Sequence, residues 1–449
     1  MIITMPQKVK RIIETLKEAG YEAYVVGGCV RDSFLGRNPD DWDITTSALP
    51  MQVKALFPVT IDTGLQHGTV TILMDKETFE VTTYRLDGEY EDGRHPKDVT
   101  FTPSLEEDLK RRDFTINAMA YNDEAGLVDL FDGMGDIDRK LIRAVGDPDK
   151  RFEEDALRVM RAVRFSAQLG YNIETNTSEA IKRHAENLKK ISVERIQVEL
   201  TKLLTSDNPD YIRKAYELGI TKEFLPELDE AMETSQNNPH HCFNVGDHTI
   251  ETLRNVRADK ILRLTMLFHD LGKPETKTTD EKGIDHFYGH QKIGAEKAGK
   301  ILRRLRFDND TIKNVSRLVE FHDYGLSVEP TPAVVRRAIN KIGEDLFPLF
   351  LEVRRADMLG QSMYMREEKE KLLTSWITIY DRIIKESQCV SLKTLALDGK
   401  DVIALYPDIK GPVIGKVLSE LLDKVLDDPS CNNRETLINL LKEIVDEKG

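Results

Sequence analysis

Between Gly27 and Asp43 the sequence GGCVRDSFLGRNPDDWD sets two adjacent glycines, an arginine, and two aspartates one residue apart. If Trp42 lies in a strand, Asp41 and Asp43 project from the same face, because strand side chains alternate. Two carboxylates that close repel each other unless a cation joins them. Such oxygen ligands suit Mg²⁺, which in phosphoryl-transfer sites often works as a pair of ions about 3.5–4 Å apart. A solvated turn after Asn38-Pro39 is the alternative reading of the same residues. Gly28, just after the apolar run AYVV, would let backbone N–H groups approach phosphates, and Arg31 would clamp them from the first turn of the next helix. Glu80 in TFEVTTYR is a candidate third carboxylate or simply an exposed strand acid.

A second group lies in RFEEDALRVMRAVRFSAQLGY, predicted as one helix that Gly170 closes. Ala156, Val159, Met160 and Val163 fill one arc, while Asp155, Arg158, Arg161 and Arg164 step round the other half. This is either an ion-paired amphipathic helix or a nucleotide reader. Cytosine and adenine both show an amino donor beside a ring-nitrogen acceptor, and an Asp-Arg pair complements that edge. Uracil and guanine present the opposite pattern and would be repelled.

A third group is rich in histidine: His248, His269-Asp270, His290, His322 and Asp357. Lone histidines are usually core or surface residues. Here His269-Asp270 ends an apolar helical run and precedes Gly272, and the set offers the imidazoles and carboxylates expected of one or two divalent transition metals.

These residues need elements to hold them. Val9, Ile12, Ile13, Leu16 and Ala19 predict an N-terminal helix stopped at Gly20. AYVVGG and DWDITT read as strands round a small helix, and GTVTILMDKETFEVTTYR as two strands joined at Asp75-Lys76-Glu77. Beyond Asp147-Pro148 strand signals cease and helical periods run to the end, so the expected fold class is α+β: a mixed head followed by an all-helical remainder. The expected divisions are 1–148, 149–235, 236–365 and 366–449.

The 449 residues are too many for one ordinary core. No apolar run approaches the roughly 18 residues that span a bilayer, and the first residues lack the pattern of an export signal. Four cysteines stand far apart without metal-finger spacing, which fits a reducing cytoplasm. A net charge of -14 excludes a protein that coats nucleic acid over its whole surface. Residues 139–164 nevertheless hold eight Lys or Arg against five acids, so any nucleic-acid partner should touch this middle region.

In order along the chain, VVGGCVRDSFLGRNPDDWDI, DLKRRDFTINAMAY, DLFDGMGDIDRKLIRAVGDP, RFEEDALRVMRAVRFSAQLGY and ISVERIQVEL resemble the five motifs of the class II tRNA nucleotidyltransferases, the CCA-adding enzymes and bacterial poly(A) polymerases. The resemblance covers roughly the first 205 residues. It implies a DNA polymerase β-like head and CCA addition to the tRNA 3′ end from CTP and ATP with Mg²⁺, involving neither DNA nor a membrane. It also implies that Gly28 and Arg31 bind nucleotide, Asp41 and Asp43 hold metal, Arg112 contacts the triphosphate, Asp155 and Arg158 read the base, and Arg161 and Arg164 add nucleotide contacts. On helix geometry Arg164 stands half a turn from Asp155 and is the outlier. YRLDGEYEDGRHPKDVTF resembles the flexible loop of full CCA-adding members, which favours addition of A; poly(A) synthesis, CC-only or A-only addition are the alternatives within the family.

The order H…HD…H…H…D resembles the HD phosphohydrolases, which implies a metal-dependent phosphatase or phosphodiesterase using Ni²⁺, Mn²⁺ or a similar ion. An HD hydrolase whose head only binds RNA is the reading from a different class; intact Asp41, Asp43 and Arg112 argue against it.

Overall fold

Val9, Ile12, Ile13 and Leu16 recur at helical spacing and are all buried, so the helix Gln7–Glu18 lays one apolar face on the molecule, and Gly20 ends it at φ +89°. The computed structural model describes residues 2–88, 99–325, 328–409 and 411–446. Most of the stretch 84–101, expected to be the loop that favours A addition, lies outside them. The chain divides into two units, Met1–Pro226 and Glu227–Gly449.

In the first unit the strands are β1 Ala23–Val26, β2 Ile44–Thr46, β3 Thr60–Gly64, β4 Thr69–Met74, β5 Glu77–Thr83, β6 Arg85–Asp87, β7 Val99–Phe101, β8 Met119–Asn122 and β9 Gly126–Asp129. Seven form one sheet in the order β3-β4-β5-β2-β1-β8-β9, and β6 pairs with β7 apart from it. The pair β2 and β5 is parallel, with Ile44 opposite Val81, whereas β1 runs antiparallel to both β2 and β8. The β4-β5 hairpin turns on two residues, Asp75 and Lys76, both at positive φ, with Met74 opposite Glu77. Glu77, expected in the turn, is already strand.

Three further expectations need correction. Strand β2 begins at Ile44, so Trp42 precedes it rather than lying in it. The helix expected across 152–169 is broken: Pro148–Glu154 ends at Asp155, whose backbone is extended at φ -140° and ψ 102°, and a new helix runs Leu157–Leu169. Asp155 accepts a hydrogen bond from the Leu157 N–H at 3.0 Å, the local side-chain bond by which Asp favours a cap over a helix interior. Gly170 does close the second helix, at φ +70°. Strands also continue past 148 as short pairs: Asn172–Ile173 runs parallel to Leu141–Ile142, and Thr278–Thr279 pairs with Asp285–His286. Two-residue strands are too short to leave an alternating pattern.

The second unit is almost wholly helical. Around Phe347, Phe350 and Trp376 the helices Pro332–Ile342, Phe347–Gly360 and Arg366–Lys385 share one apolar core. The last helices, Gly399–Leu405, Pro412–Asp427 and Arg434–Asp446, pack round a separate cluster that includes Leu421, Val425 and Leu441. No described helix is long and apolar enough to cross a membrane.

Candidate active sites

At the carboxyl edge of β1 the chain turns at Gly27, φ +83° and ψ -130°, and enters the helix Gly28–Phe34. A side chain at 27 would be strained by that backbone and would place its Cβ 3.2 Å from Arg112 Nη1. The glycine therefore admits Arg112 to the cleft that opens here, a cavity of about 620 Å³ lined by Gly28, Arg31, Asp41, Asp43, Arg112, Arg161 and Arg164. Although Trp42 precedes the strand, Asp41 and Asp43 still face one cavity, because Val26 N–H donates to Asp43 O at 3.0 Å and extends the β1-β2 pairing.

The guanidinium groups are set by acids and amides. Arg31 is buried, donates to both oxygens of Asp32 at 2.9 Å, and reaches Asn117 Oδ1 at 2.6 Å. Arg112 meets Asp108 at 3.4 Å, and its Nε is buried with no partner among the described residues. Arg161 pairs with Asp113 at 2.6 Å, and Arg164 with Glu199 at 2.5 Å while lying 3.7 Å from the centre of the Phe165 ring. Burial would raise the Asp113 carboxyl, but Arg161 and then Arg158 hold it at about 2. Asp113 and Asn117 belong to the site, yet sequence reasoning singled out only Arg112 from RRDFTIN; two buried polar residues beside it were the available signal.

The carboxylates behave as an unneutralised set. Burial raises Asp43, against the pull of Arg112 and with help from Asp41. Glu80 is exposed on β5, and its carboxyl is raised by partial desolvation, then by Asp43 and Asp41. All three acids thus feel one another, and an all-oxygen donor set of this kind fits a hard divalent cation.

Asp155 and Arg158 are not brought to this cavity. Arg195 donates to both oxygens of Asp155, at 2.7 and 3.3 Å. Arg158 is held by Glu154 at 2.6 Å and by the carbonyls of Arg151 and Arg111 at 3.0 and 2.9 Å. Arg164, the outlier by helix arithmetic, lines the cavity instead: the break at Asp155 means that one helical phase does not connect the two residues.

In the second unit the histidine-rich set converges. The Nδ1 atoms of His248, His269, His290 and His322 lie 3.1, 2.8, 2.7 and 2.7 Å from the carbonyls of Gly360, Met266, Phe287 and Val319. A carbonyl only accepts, so each Nδ1 carries a proton and Nε2 is the atom that each ring turns into the cluster. Those Nε2 atoms lie in pairs: His248 and His269 Nε2 are 3.2 Å apart, His290 and His322 Nε2 3.3 Å. Asp270 stands between the pairs, Oδ2 at 3.3 Å from His269 and Oδ1 at 3.5 Å from His290, and Asp357 Oδ1 adds a contact to His248 at 2.9 Å. Two groups able to hold a metal share Asp270: His248-His269-Asp270 and Asp270-His290-His322.

The packing and charge of this cluster are specific. A Cβ at Gly272 would fall 2.1 Å from the His290 carbonyl oxygen, so glycine there lets the helix His290–Arg304 close on the site. Against burial, His269 and Lys273 hold the Asp270 carboxyl well below the usual range, with Lys273 Nζ 2.7 Å from its Oδ2. Burial lowers His290 to about 4, keeping it neutral. His241, unremarked in the sequence, faces the same space, and burial lowers it to about 3.

The head sheet and its cleft of paired acids and arginines define a nucleotidyltransferase of the poly(A) polymerase type: residues 23–143 match the Poly A polymerase head domain. A polymerase A RNA-binding region matches residues 170–232, and a second domain of tRNA nucleotidyltransferases matches 276–441. The chain is 35% identical to the CCA-adding enzyme of Limosilactobacillus reuteri over 98% of its own length and 97% of that protein. It is 54% identical to that of Levilactobacillus brevis over 96% of each. A crystal structure of the Bacillus stearothermophilus CCA-adding enzyme in complex with CTP superposes with a TM-score of 0.73 at 30% identity, covering 99% of both chains. The chain belongs to the family of CCA-adding enzymes.

Proposed function

We propose that this chain adds C, C and A to the 3′ end of tRNA from CTP and ATP, without a nucleic-acid template. The observation that carries the reading is the single cleft in which Asp41 and Asp43 face the guanidinium groups of Arg31, Arg112, Arg161 and Arg164. Mg²⁺ held by Asp41 and Asp43, with Glu80 as the third carboxylate, would supply charge neutralisation at the reacting phosphate. Arg31, fixed by Asp32 and Asn117, and Arg112, with its unpartnered Nε, hold the triphosphate and orient the α-phosphorus for in-line attack by the tRNA 3′-hydroxyl. Gly28 lets the ligand come close to the backbone. Asp155 and Arg158 select C and A by their edge pattern, exchanging Arg195 and Glu154 for the base as they do so. Substrates of this kind, and cysteines all free of disulfides, fit the cytoplasm.

Incubating the protein with tRNA that ends at the discriminator base tests this. CTP and ATP together should restore a complete CCA end; long A tails from ATP alone would show a poly(A) polymerase, and arrest after CC a partial enzyme.

The convergence of four histidine Nε2 atoms on Asp270 favours a second activity, metal-dependent phosphoester hydrolysis of the HD type in the second unit. His248, His269, Asp270 and Asp357 would hold one ion and Asp270, His290 and His322 another, Ni²⁺ or Mn²⁺, supplying an activated water and charge neutralisation. Lys273 keeps Asp270 ionised for that role. Hydrolysis of a 2′,3′-cyclic phosphate with added Mn²⁺ or Ni²⁺, lost in Asp270→Asn, is the expected result; equal turnover by that variant would refute the assignment.

A further inference from the structure

Beside Asp357 the helices Phe347–Gly360 and Arg366–Lys385 line a cavity of about 510 Å³. Met358, Met365, Leu372 and Leu373 form its apolar wall, and His240, His241 and Asp357 are among its polar lining. Into it faces Arg354, only 4% exposed, whose Nε and Nη1 have no hydrogen-bond partner among the described residues. Its guanidinium lies 5.2 Å from the centre of the Trp376 ring and 5.7 Å from that of Phe350. Ring faces attract a cation but leave in-plane N–H groups unsatisfied, and a buried guanidinium without acceptors is costly. Burial accordingly lowers Arg354 to about 10, with Asp357 and Asp323 opposing.

A second cation lines the same cavity. Lys369 Nζ donates to Gln361 Oε1 at 2.7 Å, and Gln361 Nε2 donates to both oxygens of Asp357 at 3.2 Å. The lysine and the metal-competent cluster are thus joined through one glutamine. The cavity is within the ordinary size range of a small-molecule site, roughly 300–1,000 Å³. The two free N–H groups lie on different edges of the guanidinium, so each would donate singly to an oxygen of an anion such as phosphate.

We propose that this cavity is an anion subsite for the HD-type centre, and that the centre's ligand is a nucleotide bearing a second phosphate, bound by Arg354 and Lys369, beyond the phosphoester at the cluster. The inference rests on the phosphohydrolase reading of that cluster. The apolar wall takes the base or sugar between the two anionic ends, and a nucleotide with one phosphate leaves Arg354 unpaired and binds less well.

Steady-state hydrolysis by the full chain with Mn²⁺ tests the idea on two substrates, adenosine 2′,3′-cyclic phosphate and its 5′-phosphorylated form. The two-phosphate substrate should show a KM about tenfold lower, as one charge-assisted bond predicts. Arg354→Gln should erase that advantage. Lys369→Gln, at a half-buried side chain outside the aromatic core, should reduce it severalfold and guards against a folding defect in the first variant. Equal KM values in the parent protein, or an advantage kept in both variants, overturns the subsite. If neither substrate is hydrolysed, the phosphohydrolase reading fails on its own. Photocrosslinking with an azido derivative of adenosine 3′,5′-bisphosphate then decides the subsite: label on the segment from Met358 to Leu373, absent in Arg354→Gln, supports it, and no label there refutes it.

Discussion

Arg195 reaches across to Asp155 and donates to both of its carboxylate oxygens, at 2.7 and 3.3 Å, in the residue that breaks the helix before Leu157. An acid so engaged offers a base amine an oxygen only by sharing or exchanging that partner. Asp155→Ala should lower kcat/KM for CTP and ATP about 10- to 100-fold, the worth of one hydrogen bond to a charged group. UTP should gain relative to CTP because a repulsive element has gone. Incorporation of each nucleotide on tRNA lacking CCA measures both; unchanged selectivity would remove Asp155 from base reading.

Asp43 gives the proposed metal site a pH signature. Burial, helped by Asp41 and opposed by Arg112, raises its carboxyl above the usual range, so ionising it costs more in the folded chain than in the unfolded one. That penalty is absent at pH values below the unfolded pKa of about 3.9 and complete above the raised value. Asp43→Asn should abolish nucleotide incorporation while raising Tm by about 1–3 °C at pH 7, and leave Tm unchanged near pH 3.5. A lower Tm at pH 7 would contradict the cost of burying this carboxylate.

The sequence carried the cleft more fully than the Asp155-Arg158 region, and the difference is physical. Asp41 and Asp43 stand just before β2, Arg31 on the helix Gly28–Phe34 and Arg112 just after the helix that ends at Lys110, so local patterns sufficed. Asp155 and Arg164 were related by assuming one continuous helix, and a single Asx-type bond to Leu157 N–H removed that relation. In the second unit, residue types and order identified the metal-competent set. What they could not supply was the setting of His248, whose Nδ1 meets the Gly360 carbonyl 112 residues away, whereas His269, His290 and His322 meet carbonyls three residues upstream. Arg354 and His241 gave no sequence signal because their significance is an unmet hydrogen-bond need, visible only once the neighbours are placed.

The Asp113–Arg161 pair should govern acid stability of the first unit. Asp113 sits at about 2 when folded and about 3.9 when unfolded, so its contribution is present above pH 4 and lost as pH falls towards 2. The shift corresponds to about 2–3 kcal/mol. Asp113→Asn should therefore cost about that much at neutral pH, read as a Tm several degrees lower, and nothing at pH 2. Because Arg161 loses its 2.6 Å anchor, KM for CTP should rise as well. A variant with parental Tm at pH 7 would show the pair to be energetically idle.

Metal content tests the second unit through the one residue its two ligand groups share. Asp270 joins His248 and His269 on one side to His290 and His322 on the other, so the parent protein should bind two Mn²⁺ or Ni²⁺ ions per chain. His322→Ala should keep one of them, since the His248-His269-Asp270 group is untouched, whereas Asp270→Asn should lose both. At a metal concentration a hundredfold above Kd the linkage stabilises by about 2.7 kcal/mol, a Tm rise of about 5–10 °C that a chelator reverses. Elemental analysis after dialysis gives the counts and a melting curve gives the shift. Two ions retained by Asp270→Asn would mean that the carboxylate does not bridge, and the histidines would then have to be divided between independent sites.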